Sequence, residues 1–89
     1  MSYVLLVVDA KVWQRDVEKI PRKDFERVIA RIRVLKNDPW PENVDVKKLQ
    51  HYSIADYRLR VGDYRVLFNR NDERKEIRLL RMLNRSKRY

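Results

Sequence analysis

The stretch DYRLRVGDYRVLF, residues 56–68, decides the fold of this chain. On both sides of Gly62-Asp63, large apolar or aromatic residues alternate with polar ones, which is typical of strands that bury one face. Glycine tolerates positive φ and aspartate bonds to nearby backbone, so these two residues predict a tight turn. A two-residue loop gives these pairs across the hairpin: Val61 with Tyr64, Arg60 with Arg65, and Leu59 with Val66.

Three arginines of this hairpin, Arg58, Arg60 and Arg65, are predicted to project from one face. Side chains that lie opposite each other in a hairpin share a face, so Arg60 and Arg65 repel at some cost in stability. A solvated sheet face normally mixes charge signs, and three positive charges together therefore indicate an anionic partner. The alternative is a solvated face in a chain rich in arginine. Tyr57 and Tyr64 fall on the apolar face and are expected in the core.

Composition limits the kind of protein. Eighty-nine residues predict a single domain, 1–89, with a modest core. The absence of cysteine excludes disulfides and thiolate metal sites, and one histidine argues against a histidine metal site, so no cofactor is expected. The longest apolar run, residues 3–8, is too short to span a bilayer and lacks a basic leader. We therefore expect no membrane association and a cytoplasmic location.

The charge is strongly basic and unevenly distributed. The net charge is +9, and residues 56–89 hold 11 basic against 5 acidic residues, so +6 of it lies there. A pI near 10.2 with clustered arginine is typical of nucleic-acid binding. Acidic proteins and anionic membranes would attract the same surface.

The amino-terminal half is predicted to contain one strand and two helices. Residues 3–8 are a continuous apolar run, interpreted as a buried strand. Asp9 can cap a helix that begins at Ala10 and is stopped by Pro21, which also starts the second helix. The second helix carries an apolar stripe for the core: Phe25, Val28, Ile29, Ile32 and Leu35.

The carboxy-terminal half is predicted to form a meander. A loop follows the second helix to about Ala55, with a short extended piece within 44–49, and the strands then cover residues 56–61, 64–70 and 76–83. The order β-α-α-β-β-β predicts an α+β fold, in which the first strand and a three-stranded antiparallel meander form one sheet under a helical hairpin.

Several side chains have alternative interpretations. Strict alternation would place Arg78 and Arg81 on opposite faces of the last strand, so at most one joins the arginine face. Trp40, between two prolines, is either a partner-binding aromatic or a lid on the core. His51 is expected to be structural or solvated. Three basic residues around the turn at 71–74 are expected to be solvated: Arg70, Arg74 and Lys75.

The pattern resembles a known family. The segment YRLRVGDYRVLF is followed by an acidic turn, an apolar strand and a terminal NRSKRY, and it is preceded by KKL and a helical hairpin. In this order, over essentially the whole chain, these features resemble the RelE toxins of the RelE/ParE superfamily, which belong to type II toxin–antitoxin systems.

The resemblance implies a function. RelE toxins are ribosome-dependent mRNA endonucleases (mRNA interferases) that inhibit translation by cutting in the ribosomal A site without a metal. They are held inactive by an antitoxin, here expected to be small and acidic and to form a hetero-oligomeric complex. The resemblance implicates these residues in catalysis: Arg58, Arg60, Arg65, Arg85 and Tyr89. It implicates three further residues in nucleic-acid contacts: Lys47, Lys48 and Arg81.

The implied chemistry suits arginine. In metal-free RNA cleavage the 2′-hydroxyl attacks phosphorus, and arginine, always charged and bidentate towards phosphate, can stabilise the transition state. Tyr89 would stack on a base or take part in proton transfer.

Some relatives have lysine where Arg58 and Arg60 stand, or a histidine in the tail. Arginine cannot act as a base, so catalysis would rest on charge stabilisation and substrate positioning. The absent base keeps an alternative open: a non-catalytic module, either a ParE-like gyrase inhibitor or a basic RNA-binding domain.

Overall fold

The computed structural model describes residues 2–84, which form two helices and five strands in the order β-α-α-β-β-β-β. The elements are β1 (Val4–Val7), α1 (Ala10–Glu18), α2 (Arg22–Val34), β2 (Val46–Lys48), β3 (Tyr57–Val61), β4 (Tyr64–Asn71) and β5 (Glu76–Asn84). They form one sheet of order β1-β5-β4-β3-β2, in which β1 is parallel to β5 and the other pairs are antiparallel. The predicted α+β class is confirmed. The meander has four strands instead of three, because the extended piece after α2 pairs with β3.

The hairpin has the predicted register. Val61 pairs with Tyr64, Arg60 with Arg65 and Leu59 with Val66. Gly62 takes a φ of 57°, as expected at the first position of a II′ turn. These contacts are local in sequence, which is why the pattern alone predicted them.

The first strand is more exposed than predicted. Val4 is 57% and Val8 56% exposed, so the interpretation of residues 3–8 as a buried strand is wrong for most of them. The reason is its place at the edge of the sheet, where it pairs with β5 on one side and, within residues 2–84, with no strand on the other. Tyr3, just before β1, is buried.

Helix α2 packs on one face of the sheet, which we call the inner face, and α1 contacts β5. Asp9 caps α1 as predicted, since its Oδ1 accepts hydrogen bonds from the backbone N–H groups of Lys11 and Val12 at 3.1 and 3.2 Å. The apolar side of α2 packs on the inner face in a core that includes Val28, Ile32, Leu35, Leu59, Val66, Phe68 and Met82. Within residues 2–84, neither helix is long and apolar enough to cross a membrane.

Trp40 is a lid on this core. Its indole Nε1 donates a hydrogen bond of 3.0 Å to the carbonyl oxygen of Leu35, which fixes the ring after the end of α2. The ring meets Tyr57 and Phe68 edge-on, at centroid distances of 5.5 and 5.8 Å. Tyr57 and Phe68 stack on each other at 5.4 Å. Of the two interpretations of Trp40, the structure supports the core lid.

Arg70 was expected to be solvated, and this is wrong. Its side chain is only 16% exposed, and its guanidinium lies 4.5 Å from the ring centre of Tyr3 and 4.8 Å from that of Trp40. It pairs with Asp38 at 3.0 Å and with Asp72. Hydrogen bonds from Tyr3 and from Arg70 lower the pKa of Asp72. The cluster therefore joins the amino terminus to the β4–β5 turn.

Candidate nucleic-acid interface

The face of the sheet away from the helices, the outer face, carries the predicted arginines. Arg58 lies opposite Leu67, and Arg60 lies opposite Arg65. Because directly opposed residues share a face, all three arginines project from the outer face. The prediction that these three arginines share one face of the hairpin is confirmed.

A bulge in β5 changes one expectation. Arg78 lies opposite Asn69 and Arg81 opposite Leu67, and the register shifts between these pairs so that Leu80 is an extra residue in β5. Asn69 and Leu67 point to the same side of β4, and so do their partners. The prediction that Arg78 and Arg81 lie on opposite faces is wrong, because alternation is interrupted by the bulge.

Two of the arginines line a cleft on the outer face, which we call the outer cleft. Its volume is about 410 Å³, and its lining is Leu49, Gln50, Tyr52, Arg58, Arg65, Leu67 and Leu83. Leu67 is 4% exposed although it belongs to the outer face, because the chain between β2 and β3 folds back over this part of the sheet. The cleft thus combines two guanidinium groups with an apolar floor.

The returning segment is fixed at its carboxy-terminal end. The backbone N–H of Leu49 donates to the carbonyl of Asp56 at 2.8 Å, and the N–H of Asp56 donates to Oδ1 of Asn69 at 2.7 Å. Ala55, next to Asp56 in the chain, is buried. His51 has a φ of 58° and is exposed, which agrees with a structural or solvated residue.

The two arginines of the outer cleft differ in their surroundings. The side chain of Arg58 is 17% exposed, and its Nη1 lies 3.4 Å from Oδ1 of Asp45. Arg65 has no ion-pair partner within residues 2–84 and lies at the surface of the cleft. Arg58 is therefore the more restrained cation, and Arg65 is the one that can turn fully towards a ligand.

Arg60 lines a different depression. This edge hollow, about 210 Å³, is bounded by Arg60 with Arg27 and Arg31 of α2, and also by Asn43, Asp45, Leu59, Val61 and Gly62. The predicted group of three arginines is thus divided between two neighbouring surfaces. Arg60 still adjoins the outer cleft through its pairing with Arg65.

Arg81 has a structural contact that the sequence did not predict. Its Nε and Nη2 donate to the two carboxylate oxygens of Asp16 at 2.7 and 2.9 Å, and the N–H of Met82 donates to the same carboxylate at 3.0 Å. Asp16 is 5% exposed, and its hydrogen bonds are the main cause of a raised pKa of Arg81. One feature of the sequence could have predicted this contact. Asp16 is a carboxylate within the apolar stripe of α1, between Trp13 and Val17.

The remaining predicted residues are separated. Lys47 lies opposite Arg58 and shares the outer face, whereas Lys48 lies opposite Tyr57 and shares the inner one. Both lysines are exposed. Arg85 and Tyr89 lie outside the residues that the structure describes. The structure thus brings Arg58, Arg65 and Lys47 to one surface, with Arg60 beside it.

No protein-family model matches the sequence, and no curated protein matches it either. Solved structures do match over nearly the whole chain. A chain of the archaeal RelE–RelB complex from Pyrococcus horikoshii is 29% identical, with 99% of this chain and 100% of that chain covered and a TM-score of 0.75. A chain of the RelB–RelE antitoxin–toxin complex from Methanococcus jannaschii is 26% identical, with 91% of each chain covered and a TM-score of 0.69.

A third match, in a RelBE toxin–antitoxin complex from Mycobacterium tuberculosis, is 23% identical and shows the same fold, with a TM-score of 0.78 over 98% of this chain and 95% of that chain. The fold, the arginine hairpin and these matches confirm the resemblance drawn from the sequence. Over nearly its whole length the chain is thus similar in sequence and fold to chains of RelE–RelB toxin–antitoxin complexes, which supports its assignment as a RelE-family toxin.

Proposed function

We propose that this chain is a ribosome-dependent mRNA endonuclease, the toxin of a type II toxin–antitoxin system, which cuts mRNA in the A site without a metal ion. One observation carries the proposal. Arg58 and Arg65 line a single cleft with an apolar floor on a RelE-family fold. Such a cleft offers positive charge to a phosphate and an apolar surface to the adjoining nucleotide.

The reaction needs charge at one phosphate. The 2′-hydroxyl attacks the adjacent phosphorus and gives its proton to water, and the bond to the departing 5′-oxygen breaks. The 5′-oxygen takes a proton from water, so the products are a 2′,3′-cyclic phosphate and a 5′-hydroxyl. Negative charge builds up on the non-bridging oxygens, where Arg58 and Arg65 donate hydrogen bonds. Fixed cations aimed at developing charge are usually the largest single contribution to catalysis. Arg65, which has no carboxylate partner within residues 2–84, is the principal cation in this proposal.

The other residues have supporting roles. Lys47 and Arg60 flank the outer cleft and would hold the RNA backbone on either side of the reacting phosphate. Arg85 and Tyr89 complete the proposed catalytic set on the strength of the family resemblance. Lys48, which shares the inner face, and Arg81, which is paired with Asp16, would add positive charge near the outer cleft without lining it.

A general base is not part of the described cleft. Among the residues from 2 to 84 that line it, none is a histidine or a carboxylate. Arginine does not deprotonate at physiological pH, so Arg58 and Arg65 act as charged donors only. The proposed mechanism therefore relies on transition-state stabilisation and on the in-line geometry that the ribosome-bound mRNA provides.

The proposed partner is a small acidic antitoxin. The similar structures from Pyrococcus horikoshii, Methanococcus jannaschii and Mycobacterium tuberculosis are all of toxin–antitoxin complexes. A net charge of +9 favours rapid encounter with an acidic chain, which would cover the basic surface. Since the substrate is mRNA on the ribosome, we place the protein in the cytoplasm.

Primer extension on mRNA incubated with translating ribosomes tests the proposal. Wild-type protein should create new mRNA ends at A-site codons. Arg65→Ala should lower the cleavage rate about 10²- to 10³-fold, the usual loss for one transition-state donor, with an unchanged melting temperature. Arg74→Ala, which removes an exposed arginine from the β4–β5 turn, is the matched control and should cleave normally. Adding the acidic partner should suppress all new ends.

Two results would contradict the proposal. One is wild-type cleavage by Arg65→Ala. The other is inhibition of DNA gyrase with no new mRNA ends, which would identify the ParE-like alternative.

A further inference from the structure

Tyr52 lines the outer cleft and is exposed to solvent. It is 45% exposed, and it is the only aromatic residue among the exposed large apolar residues of the described chain, 2–84. Within the same range, its ring makes no aromatic pair and its hydroxyl no hydrogen bond. The other aromatic rings near the sheet, such as Tyr57 and Phe68, are packed in the core.

The backbone holds Tyr52 in this position at a cost. His51, the preceding residue, has a φ of 58°, a left-handed conformation that is unfavourable for residues with a Cβ. The segment is closed by the 2.8 Å hydrogen bond between Leu49 and Asp56. A strained backbone that leaves an aromatic ring in solvent above a cleft indicates a functional reason for the ring.

The position of the ring also relates to the charges. The hydroxyl of Tyr52 is near enough to Arg81 on β5 to contribute, after Asp16, to the raised pKa of that arginine. Tyr52 also lines the outer cleft together with Leu83 of β5, so it extends from the β2–β3 segment towards the β5 side of the cleft. Arg58 and Arg65 line the same space, and Leu67 and Leu83 form its apolar part.

This lining has the chemistry of a nucleotide site. A groove for phosphate alone needs only cations, whereas an aromatic ring beside an apolar floor suits the flat face of a base. Aromatic side chains stack on unpaired bases in most single-stranded RNA sites. The cations would then hold the phosphate attached to the stacked nucleotide.

We propose that Tyr52 is an RNA-binding residue that stacks on the base of the nucleotide whose phosphate contacts Arg58 and Arg65. The proposal rests on the proposed function. It adds that the apolar half of the cleft binds the base of the nucleotide. Stacking accepts any base, so Tyr52 fixes the position of the nucleotide more than its identity.

Binding of a short, fluorescently labelled 2′-O-methyl RNA, which cannot be cleaved, tests this role by anisotropy. Tyr52→Ala should weaken binding about 10- to 100-fold, the usual range for loss of one stacked base. Tyr52→Phe should bind within about twofold of wild type, and Tyr52→Leu, which keeps apolar volume without a ring, should resemble Tyr52→Ala. Ile54→Ala is the control, since Ile54 is 54% exposed on the same segment and does not line the cleft.

Abasic nucleotides make the test specific. One abasic position should weaken wild-type binding by the same factor as Tyr52→Ala, and it should leave the affinity of Tyr52→Ala unchanged. Equal affinity of Tyr52→Ala and wild type overturns the inference alone, since loss of cleavage in Arg65→Ala would still support the proposed function. If the wild-type protein does not bind the oligonucleotide, both the inference about Tyr52 and direct RNA recognition by the cleft are contradicted.

Discussion

At the scale of single residues, the Asp16–Arg81 pair limits how far Arg81 of β5 is available to a ligand. Asp16 is almost fully buried and accepts hydrogen bonds from Arg81 and from the backbone of Met82. A buried carboxylate is tolerated only when it is paired and hydrogen-bonded. Arg81 is therefore needed in the fold, and the contribution to RNA binding that we propose for it would be secondary.

Asp16→Asn should lower the free energy of unfolding by about 2–4 kcal/mol, somewhat less than the loss of a fully buried pair, because the side chain of Arg81 is 39% exposed. Urea denaturation measures this difference. Glu18→Gln changes the charge equally at an exposed position of α1 and should alter stability by less than about 0.5 kcal/mol. If the two variants were equally stable, the pair would not be structural and Arg81 would be available to the substrate.

At the scale of secondary-structure elements, the hairpin turn is joined to α2 through one glycine. Gly62 has a φ of 57°, and a Cβ added there would lie 3.1 Å from Nη2 of Arg27. Backbone conformation and close approach thus both favour glycine. The same arginine lines the edge hollow beside Arg60, so the turn also sets the shape of that basic surface.

Gly62→Ala should destabilise the protein by about 1–2 kcal/mol, mainly through the left-handed backbone. Chemical denaturation of Gly62→Ala, Arg27→Ala and the double variant separates the two causes. The part due to contact with Arg27 should disappear in the double variant, and the backbone part should remain. Asp63→Ala, at the next position of the turn, is the comparison and should cost clearly less. A Gly62→Ala variant as stable as wild type would contradict the account of the turn.

At the scale of the whole molecule, local patterns were predictable and long-range pairings were not. The register of β3 with β4 depends on a two-residue turn, and the cap at Asp9 on a few neighbouring atoms, so the sequence predicted both. The exposure of β1 depends on its place in the sheet order. The outer cleft forms because residues 49–56 fold back on the sheet. This contact leaves no periodic pattern in the sequence, so the cleft could not be predicted.

The charge distribution of the whole molecule provides the last prediction. A chain of net charge +9 will bind any polyanion weakly, so salt dependence by itself does not identify a site. For single-stranded RNA, each phosphate contact contributes about 0.7 to the slope of log affinity against log salt concentration. Arg65→Ala and Arg74→Ala lower the net charge equally, but only Arg65 lines the outer cleft. Arg65→Ala should therefore reduce the slope by about 0.7, and Arg74→Ala should leave it nearly unchanged.

Anisotropy titrations of the labelled 2′-O-methyl RNA over a series of salt concentrations measure both slopes. A double variant should behave as Arg65→Ala, because the exposed turn adds no phosphate contact. Equal reductions in the two single variants would mean that RNA follows the net charge and not the cleft. A slope near zero in the wild type would point to a partner held by apolar surface, as expected of a non-catalytic inhibitor. A reduction confined to Arg65→Ala would place a phosphate of the RNA in the cleft, within reach of Arg58 and Tyr52.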